Sequence, residues 1–242
     1  MRPASRRTMT EHRNSFGQPI GFPLPAWKPR ARPPRTLMAG RFCRLEPLDP
    51  DRHAAALHEA NRLDRDGRNW TYLGAGPFAT LEEYWRWMDA TCRGADPLFH
   101  AIVDAAADRA VGTAAYLRIE PAVGVIEVGH LNFSPLLQRH PGATEAMYMM
   151  MRRVFDELGY RRCEWKCDSL NAPSRAAAER LGFRFEGIFR QATVYKERNR
   201  DTAWFSILDG EWPAIKGAFE RWLSPDNFDA AGKQKRRLQE FR

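Results

Sequence analysis

No apolar run in this 242-residue chain approaches the roughly 20 residues a membrane-spanning helix needs, so no helical span is expected. Cysteine is scarce. Cys43, Cys92, Cys163 and Cys167 are scattered, in none of the spacings a zinc site uses, and no metal is implied. Cys163 and Cys167 stand four apart in a strand pattern; they share a face but lie about 13 Å apart, too far for a disulfide within one strand. All four read as buried free thiols of a reducing compartment, and the chain is expected to be cytoplasmic. Ser5-Arg6-Arg7-Thr8 resembles a twin-arginine signal, yet no apolar segment follows it, so no export signal is expected. Internal repeats are absent.

Charge is plentiful but unevenly placed. Residues 1–41 hold nine Lys/Arg and a single acid, Glu11, which equals the whole chain's net +8. The last ten residues add five basic side chains and Glu240, which leaves residues 42–232 at −4. The basicity therefore belongs to the two ends, and a nucleic-acid-binding body is not supported. Residues 1–36, with PIGFPLPAWKPRARPPR at their centre, read as an extended arm. Phe16, Ile20, Phe22, Leu24 and Trp27 could lay it along the body. The remainder divides into one domain, 37–223, and a polar, basic tail, 224–242.

Within that domain Leu37–Leu48 reads as a first strand, and Asp49-Pro50-Asp51 opens a helix. Asp64–Gly76 is a loop holding Trp70 and Tyr72. Two readings stay open for these aromatics: staples that fasten the loop, or a wall of a substrate cleft. Thr80-Leu81-Glu82-Glu83 is a capping box before a second helix. Leu98–Asp104, Ala110–Ile119 and Val125–Phe133 follow as an antiparallel meander. A helix from about Ala143 to Leu158 carries apolar residues at helical spacing, and Gly159 stops it. Arg161–Asp168 alternates as a strand, Asn171–Ser174 opens a short helix closed by Gly182, and strands Phe183–Tyr195 and Thr202–Leu208 flank KERNRD. A last helix spans Asp209–Leu223. The strand–helix–strand unit in the middle predicts one parallel pair with a right-handed crossover. Twice within Val125–Phe183 a strand ends at a helix N-terminus, where unpaired N–H groups and the dipole suit a phosphate-bearing ligand.

These residues carry a resemblance. Ile126-Glu127-Val128-Gly129, Ala143-Thr144-Glu145-Ala146, Asn171-x-x-Ser174 running to Leu181-Gly182-Phe183, Glu186-Gly187, and the hairpin Arg198–Trp204 are together similar to the GCN5-related N-acetyltransferase (GNAT) superfamily. The likeness is to its branch that acetylates ribosomal-protein N-termini, the RimJ/RimL type, and it covers about residues 40–223. The resemblance implies a mixed α/β acyltransferase fold, with a central mixed sheet of about seven strands flanked by helices. It implies acetyl-CoA as cosubstrate and a primary amine as acceptor, either a peptide α-amine or a small molecule. A homodimer is a candidate assembly; nucleic acid and membrane are not implied partners. A non-catalytic acyl-CoA-binding module is the alternative.

The resemblance assigns the pyrophosphate to the loop Gln138, Arg139, His140, Gly142, Ala143 and Thr144. Arg139 and Pro141 stand there where relatives carry glycine, and Pro141 has no N–H to give. Asn171 and Ser174 complete the cofactor set, and plain helix capping is their other reading. Glu127, mid-strand among apolar residues, is the candidate base that takes the amine's proton, directly or through one water; a paired structural carboxylate is its other reading. Backbone N–H groups near Gly129 could hold the thioester oxygen at a bulge. The tyrosine that many relatives use to protonate the thiolate is absent, because Ala178 stands there, and that role passes to Ser174. His130, Arg190, Asp201 and Trp204 are candidates for the acceptor side, with Trp70 and Tyr72.

Overall fold

The computed structural model describes residues 12–242; Arg6-Arg7 and the start of the arm lie outside them. A two-residue antiparallel pair, β1 (His12–Arg13) with β2 (Pro19–Ile20), lies within the arm. Of the five apolar residues expected to lay the arm along the body, Trp27 does so, its ring against Gly124, whereas Phe16, Ile20, Phe22 and Leu24 stay exposed. Hydrogen bonds add to this anchoring. Trp27 Nε1 donates to the Ala122 carbonyl (2.8 Å), Arg35 Nη2 to Leu48 (2.8 Å) and Arg153 Nη1 to Thr36 (3.0 Å).

The expected first strand is a tight hairpin of β3 (Met38–Ala39) and β4 (Cys43–Pro47). The turn between them forms because a buried carboxylate, Glu145, accepts the N–H groups of Arg41, Phe42 and Cys43. Gly40 is required there: a Cβ would fall 2.4 Å from Glu145 Cδ. Helices α1 (Pro50–Asn61) and α2 (Leu81–Cys92) start at the expected caps, Asp49 and the Thr80–Glu83 capping box. Strands β5 (Leu98–Asp104), β6 (Arg109–Glu120) and β7 (Val125–Phe133) form the meander. Helix α3 (Pro141–Arg152) starts two residues before the expected Ala143, since proline at the first position costs no hydrogen bond. It runs on into a π-helical turn at Arg153–Glu157. Strand β8 (Arg162–Asp168), helix α4 (Ala172–Leu181), strands β9 (Arg184–Tyr195) and β10 (Arg198–Leu208), and helix α5 (Trp212–Leu223) complete the order. The β9–β10 connection is only Lys196-Glu197, both at positive φ (47° and 58°), a turn whose twist matches its strands; the rest of KERNRD is strand.

The main sheet has eight strands, ordered β3-β4-β5-β6-β7-β8-β10-β9, one more than expected. Every pair is antiparallel except β7 with β8. One face is buried by α1 and α2 around Leu57, Tyr84, Met88 and Phe99. The other is buried by α3 and α5 around Met147, Met150, Phe205 and Phe219. The C-terminal stretch is less solvated than its composition suggests. Phe228 and Leu238 are buried in that second core, and Arg242 Nη1 donates to the Glu179 carbonyl (3.1 Å).

Candidate active site

The parallel strands β7 and β8 pair over only three residues, from Val125↔Arg162 to Glu127↔Glu164, and then part. Beyond Glu127 the facing edges carry backbone groups with no partner across the gap. A cleft of about 310 Å³ opens there, lined among others by Glu127, Gly129, His130, Ser174 and Tyr72. The divergence follows from two bulges. On β7 the register with β6 slips by one residue between Gly129 and Asn132, with His130 at φ 48°. His130 and Leu131 have no ladder partner on β6, so the expected bulge next to Gly129 is present. On β6 the extra residue is Arg118, at φ 47°.

That second bulge aims Arg118 at Glu127. The Glu127 carboxylate is buried at the apex of the cleft, and its Oε2 accepts from Arg118 Nη1 (2.6 Å) and Lys166 Nζ (3.1 Å). Lys166 in turn bridges to Glu164 (2.8 Å) and lies 3.7 Å from the Trp204 ring centroid. The two oxygens of Glu127 differ in their partners. Oε2 is a paired structural group, whereas Oε1 takes no protein hydrogen bond among the described residues and faces Gly129, where a Cβ would stand 3.2 Å from it. Burial pushes the carboxyl's pKa above the ordinary range, and the two cations only partly oppose this.

Asn171 caps α4 by accepting the Ser174 N–H (3.1 Å). Ser174 Oγ accepts from Trp165 Nε1 (3.0 Å) and lies within hydrogen-bonding reach of the Cys167 thiol. Tyr72 stands at the cleft wall, its hydroxyl donating to the Leu170 carbonyl (3.2 Å). Trp70 is buried edge-on to Phe78 and Tyr84 and does not line this cleft. Three further candidates do not line the cleft. Arg190 and Asp201 share a shallow depression with Gln191 and Asn199, and Trp204 stacks on Phe189 at 4.3 Å.

Below the cleft, α3 presents its N-terminus to a second cavity of about 560 Å³ lined by Arg139, His140, Pro141, Ala143, Thr144, Arg180 and Lys233, without a carboxylate. Backbone donation here is thin. Pro141 has no N–H, the Gly142 N–H is taken by His140 Nδ1 (3.2 Å), and the Ala143 N–H by the His140 carbonyl (3.1 Å). Gln138 turns away to Asn69 (2.9 Å). Side chains bring positive charge to this helix end. Arg180 donates to Thr144 Oγ1 (3.1 Å), has no carboxylate partner among the described residues, and is held below its usual pKa by burial and by neighbouring Arg242. A desolvated guanidinium without a counter-ion, beside a helix N-terminus, is suited to a phosphate.

Comparison with known proteins gives the family. The sequence matches the acetyltransferase (GNAT) domain model over residues 43–184. The chain belongs to the GNAT acetyltransferase family. A GCN5-related N-acetyltransferase of known structure from Brucella melitensis is 52% identical and covers 90% of this chain and 99% of that one, with a TM-score of 0.88. RimL, a ribosomal L7/L12 alpha-N-protein acetyltransferase solved with coenzyme A, is 18% identical, with a TM-score of 0.57 over 70% of this chain and 96% of its own; this is likeness of fold alone. A curated relative, the uncharacterized N-acetyltransferase YnaD of Bacillus subtilis, is 29% identical over 86 residues, 36% of this chain, and the match spans half of that relative.

Against this GNAT frame, four residues escaped the sequence reading. Arg118 and Lys166 clamp Glu127; Arg180 and Lys233 border the α3 N-terminus. Tyr195 is a fifth neighbour of the cleft, its phenol donating to Asp168 Oδ2 (2.8 Å) and pushed up to about 12 by burial and by that bond. It arrives because the β9–β10 tip reaches the aromatic loop, Lys196 Nζ donating to the Trp70 carbonyl (2.7 Å) and Arg198 Nη2 to Thr71 (2.8 Å). Only Lys166 had a sequence signal, by alternating with Glu164 on one strand face.

Proposed function

We propose that the chain transfers an acetyl group from acetyl-CoA to a primary amine, in a direct ternary complex. The acceptor is a peptide α-amine or a small-molecule amine. The observation that carries this is the parting of β7 and β8 at Glu127, directly after the three paired residues, with the cationic end of α3 below. Acetyl-CoA supplies an activated acyl group; everything else falls to the protein. Arg139, Arg180 and Lys233 would hold phosphates, with Thr144 positioning Arg180. The unpaired edges of β7 and β8 would bind an extended amide-bearing arm as a further strand. The bulge at His130–Leu131 supplies N–H groups for a carbonyl oxygen that gains charge. Glu127 takes the amine proton on Oε1, its charge held in place on Oε2 by Arg118 and Lys166. Ser174 donates a proton to the departing sulfur. The four cysteines are buried and free, which supports work in a reducing, cytoplasmic compartment.

The alternative, a non-catalytic acyl-CoA-binding module, draws on the thin backbone donation at α3. Calorimetry with acetyl-CoA followed by thiol release over an amine panel separates the two. Binding with turnover of at least one amine supports the enzyme. Binding without turnover supports the module, and no binding removes both. A homodimer would use β9, an edge strand that leaves Phe185, Ile188, Phe189 and Val194 exposed; light scattering tests it.

A further inference from the structure

A second cavity, of about 200 Å³, adjoins the cleft on the α1–α2 side of the sheet and shares Leu73, Gly74 and His130 with it. At about 30 Å³ per water it has room for six or seven waters, or one ring-sized group. Its walls are aromatic. Trp70, Tyr84, Trp87 and Phe99 line it, Tyr84 and Trp87 stacked at 5.8 Å, and Phe99 lies 5.1 Å from the His130 ring. Among the described residues, no Asp, Glu, Lys or Arg side chain lines it. His130 is solvent-exposed at the mouth the two cavities share. Partial desolvation, then Arg118 and Arg200, lower its pKa, which favours the uncharged ring.

One polar group in this cavity is unfinished. Asn132 is 6% exposed; its Nδ2 donates weakly to Asn61 Oδ1 (3.4 Å), and its Oδ1 is buried with no partner. A buried acceptor left unpaired is costly, and a ligand N–H would relieve it. Asn132 lies at the far end of the bulge that starts at Gly129, so the cavity continues from the site where the amine meets Glu127.

We infer that this cavity receives the acceptor's substituent, and that the acceptor is a primary amine bearing one uncharged, apolar, ring-sized group, with an N–H within reach of Asn132. Such a pocket gives no counter-charge to a polyamine or an amino sugar and would have to desolvate their extra cations. The acidic balance of residues 42–232 would favour a cationic acceptor, but that charge is not in this pocket. The inference rests on the acetyl-transfer reading, and its test reports on the two separately.

The experiment uses the full chain with coenzyme A present. Tryptophan fluorescence reads the binding of phenethylamine and of spermidine, Trp70 and Trp87 being in the wall. Thiol release from acetyl-CoA then gives kcat/KM for each. Phenethylamine should be preferred by at least ~10-fold, the scale of discrimination by an apolar pocket. Gly74→Leu supplies the second arm. Nothing lies within 4 Å of a Cβ there, so the side chain enters the shared mouth without displacing backbone. It should weaken phenethylamine by ~10-fold or more while the thermal midpoint stays unchanged. Binding of phenethylamine that Gly74→Leu abolishes, without turnover by the wild type, keeps the pocket and removes the acetyl transfer. Spermidine bound or acetylated as well as phenethylamine, no phenethylamine binding, or a folded Gly74→Leu that binds it equally would each overturn the inference.

Discussion

Glu145 should be worth more to this fold than a buried charge usually is, and the geometry allows the amount to be worked out. The residue is 4% exposed in the second turn of α3 and takes three backbone N–H groups from the β3–β4 turn: Arg41 on Oε1 (2.7 Å), Phe42 and Cys43 on Oε2 (2.6 and 2.9 Å). Glu145→Gln keeps the shape and one oxygen. If that oxygen keeps Phe42 and Cys43, each bond loses its charge assistance, about 1 kcal/mol apiece, and the Arg41 N–H faces an amide NH2, losing about 2 kcal/mol more. The neutral amide is cheaper to bury, which returns part of this, so the net loss should be about 3 kcal/mol, a large share of the 5–15 kcal/mol typical of a domain. Urea unfolding followed by tryptophan fluorescence should show a lower midpoint with an unchanged slope. Gly40→Ala attacks the same clasp from the other side, so the double variant should lose clearly less than the sum of the two. A Glu145→Gln loss under 0.5 kcal/mol, or strict additivity with Gly40→Ala, would refute this account of the turn.

Glu127→Gln should lower kcat by about 10²–10⁴-fold and flatten the acid limb of the rate profile. In the wild type that limb lies above the ordinary carboxylate range, activity falling as pH drops through the raised pKa of Glu127. An acid limb that survives the substitution would assign it to another group. His100 is wholly buried and is pushed from 6.5 to about 4 by burial and then by Arg153 and Arg35, which a backbone contact at Leu98 only partly offsets. The unfolded chain takes up this proton below pH 6.5 and the folded one only near 4, so stability is whole above 6.5 and erodes as pH falls, by about 2 kcal/mol at pH 5. Urea midpoints at pH 7 and 5 should converge in His100→Leu relative to wild type. Ser174→Ala should reduce kcat by more than about tenfold, while Tyr195→Phe, whose proton is already given to Asp168, should stay within about threefold; the reverse order would move the proton donor to Tyr195. Arg180→Gln should weaken acetyl-CoA by about tenfold in calorimetry, the scale of one charge-assisted contact, and equal affinity would remove Arg180 from the phosphate site.

The order of strands and helices was legible because each depends on near neighbours. Apolar residues at spacing two or 3.6, the Thr80–Glu83 box, Asn171 at the head of α4 and Gly182 at its end (φ 107°) are local signals. So was the burial of Glu127, which sits among apolar residues in a strand. The clamp around it was not legible. Arg118 reaches Glu127 only through a bulge whose extra residue is not a glycine, and nothing in Tyr116–Glu120 marks that slip. The departure of residues 138–142 from a glycine-rich loop was visible, but the cations beside that helix end come from α4 and from Lys233 in the C-terminal stretch, which composition alone presents as solvated.

The sequence by itself therefore determined the elements, their order, the single parallel pair and the burial of Glu127, because propensity, capping and hydrophobic period act within a few residues of one another. The tertiary structure decided where β7 leaves β8, which cations surround Glu127, what faces the helix end and how the aromatic pocket adjoins the cleft. Those depend on register and on contacts between segments as far apart as Trp70 and Lys196, whose energies no local pattern records.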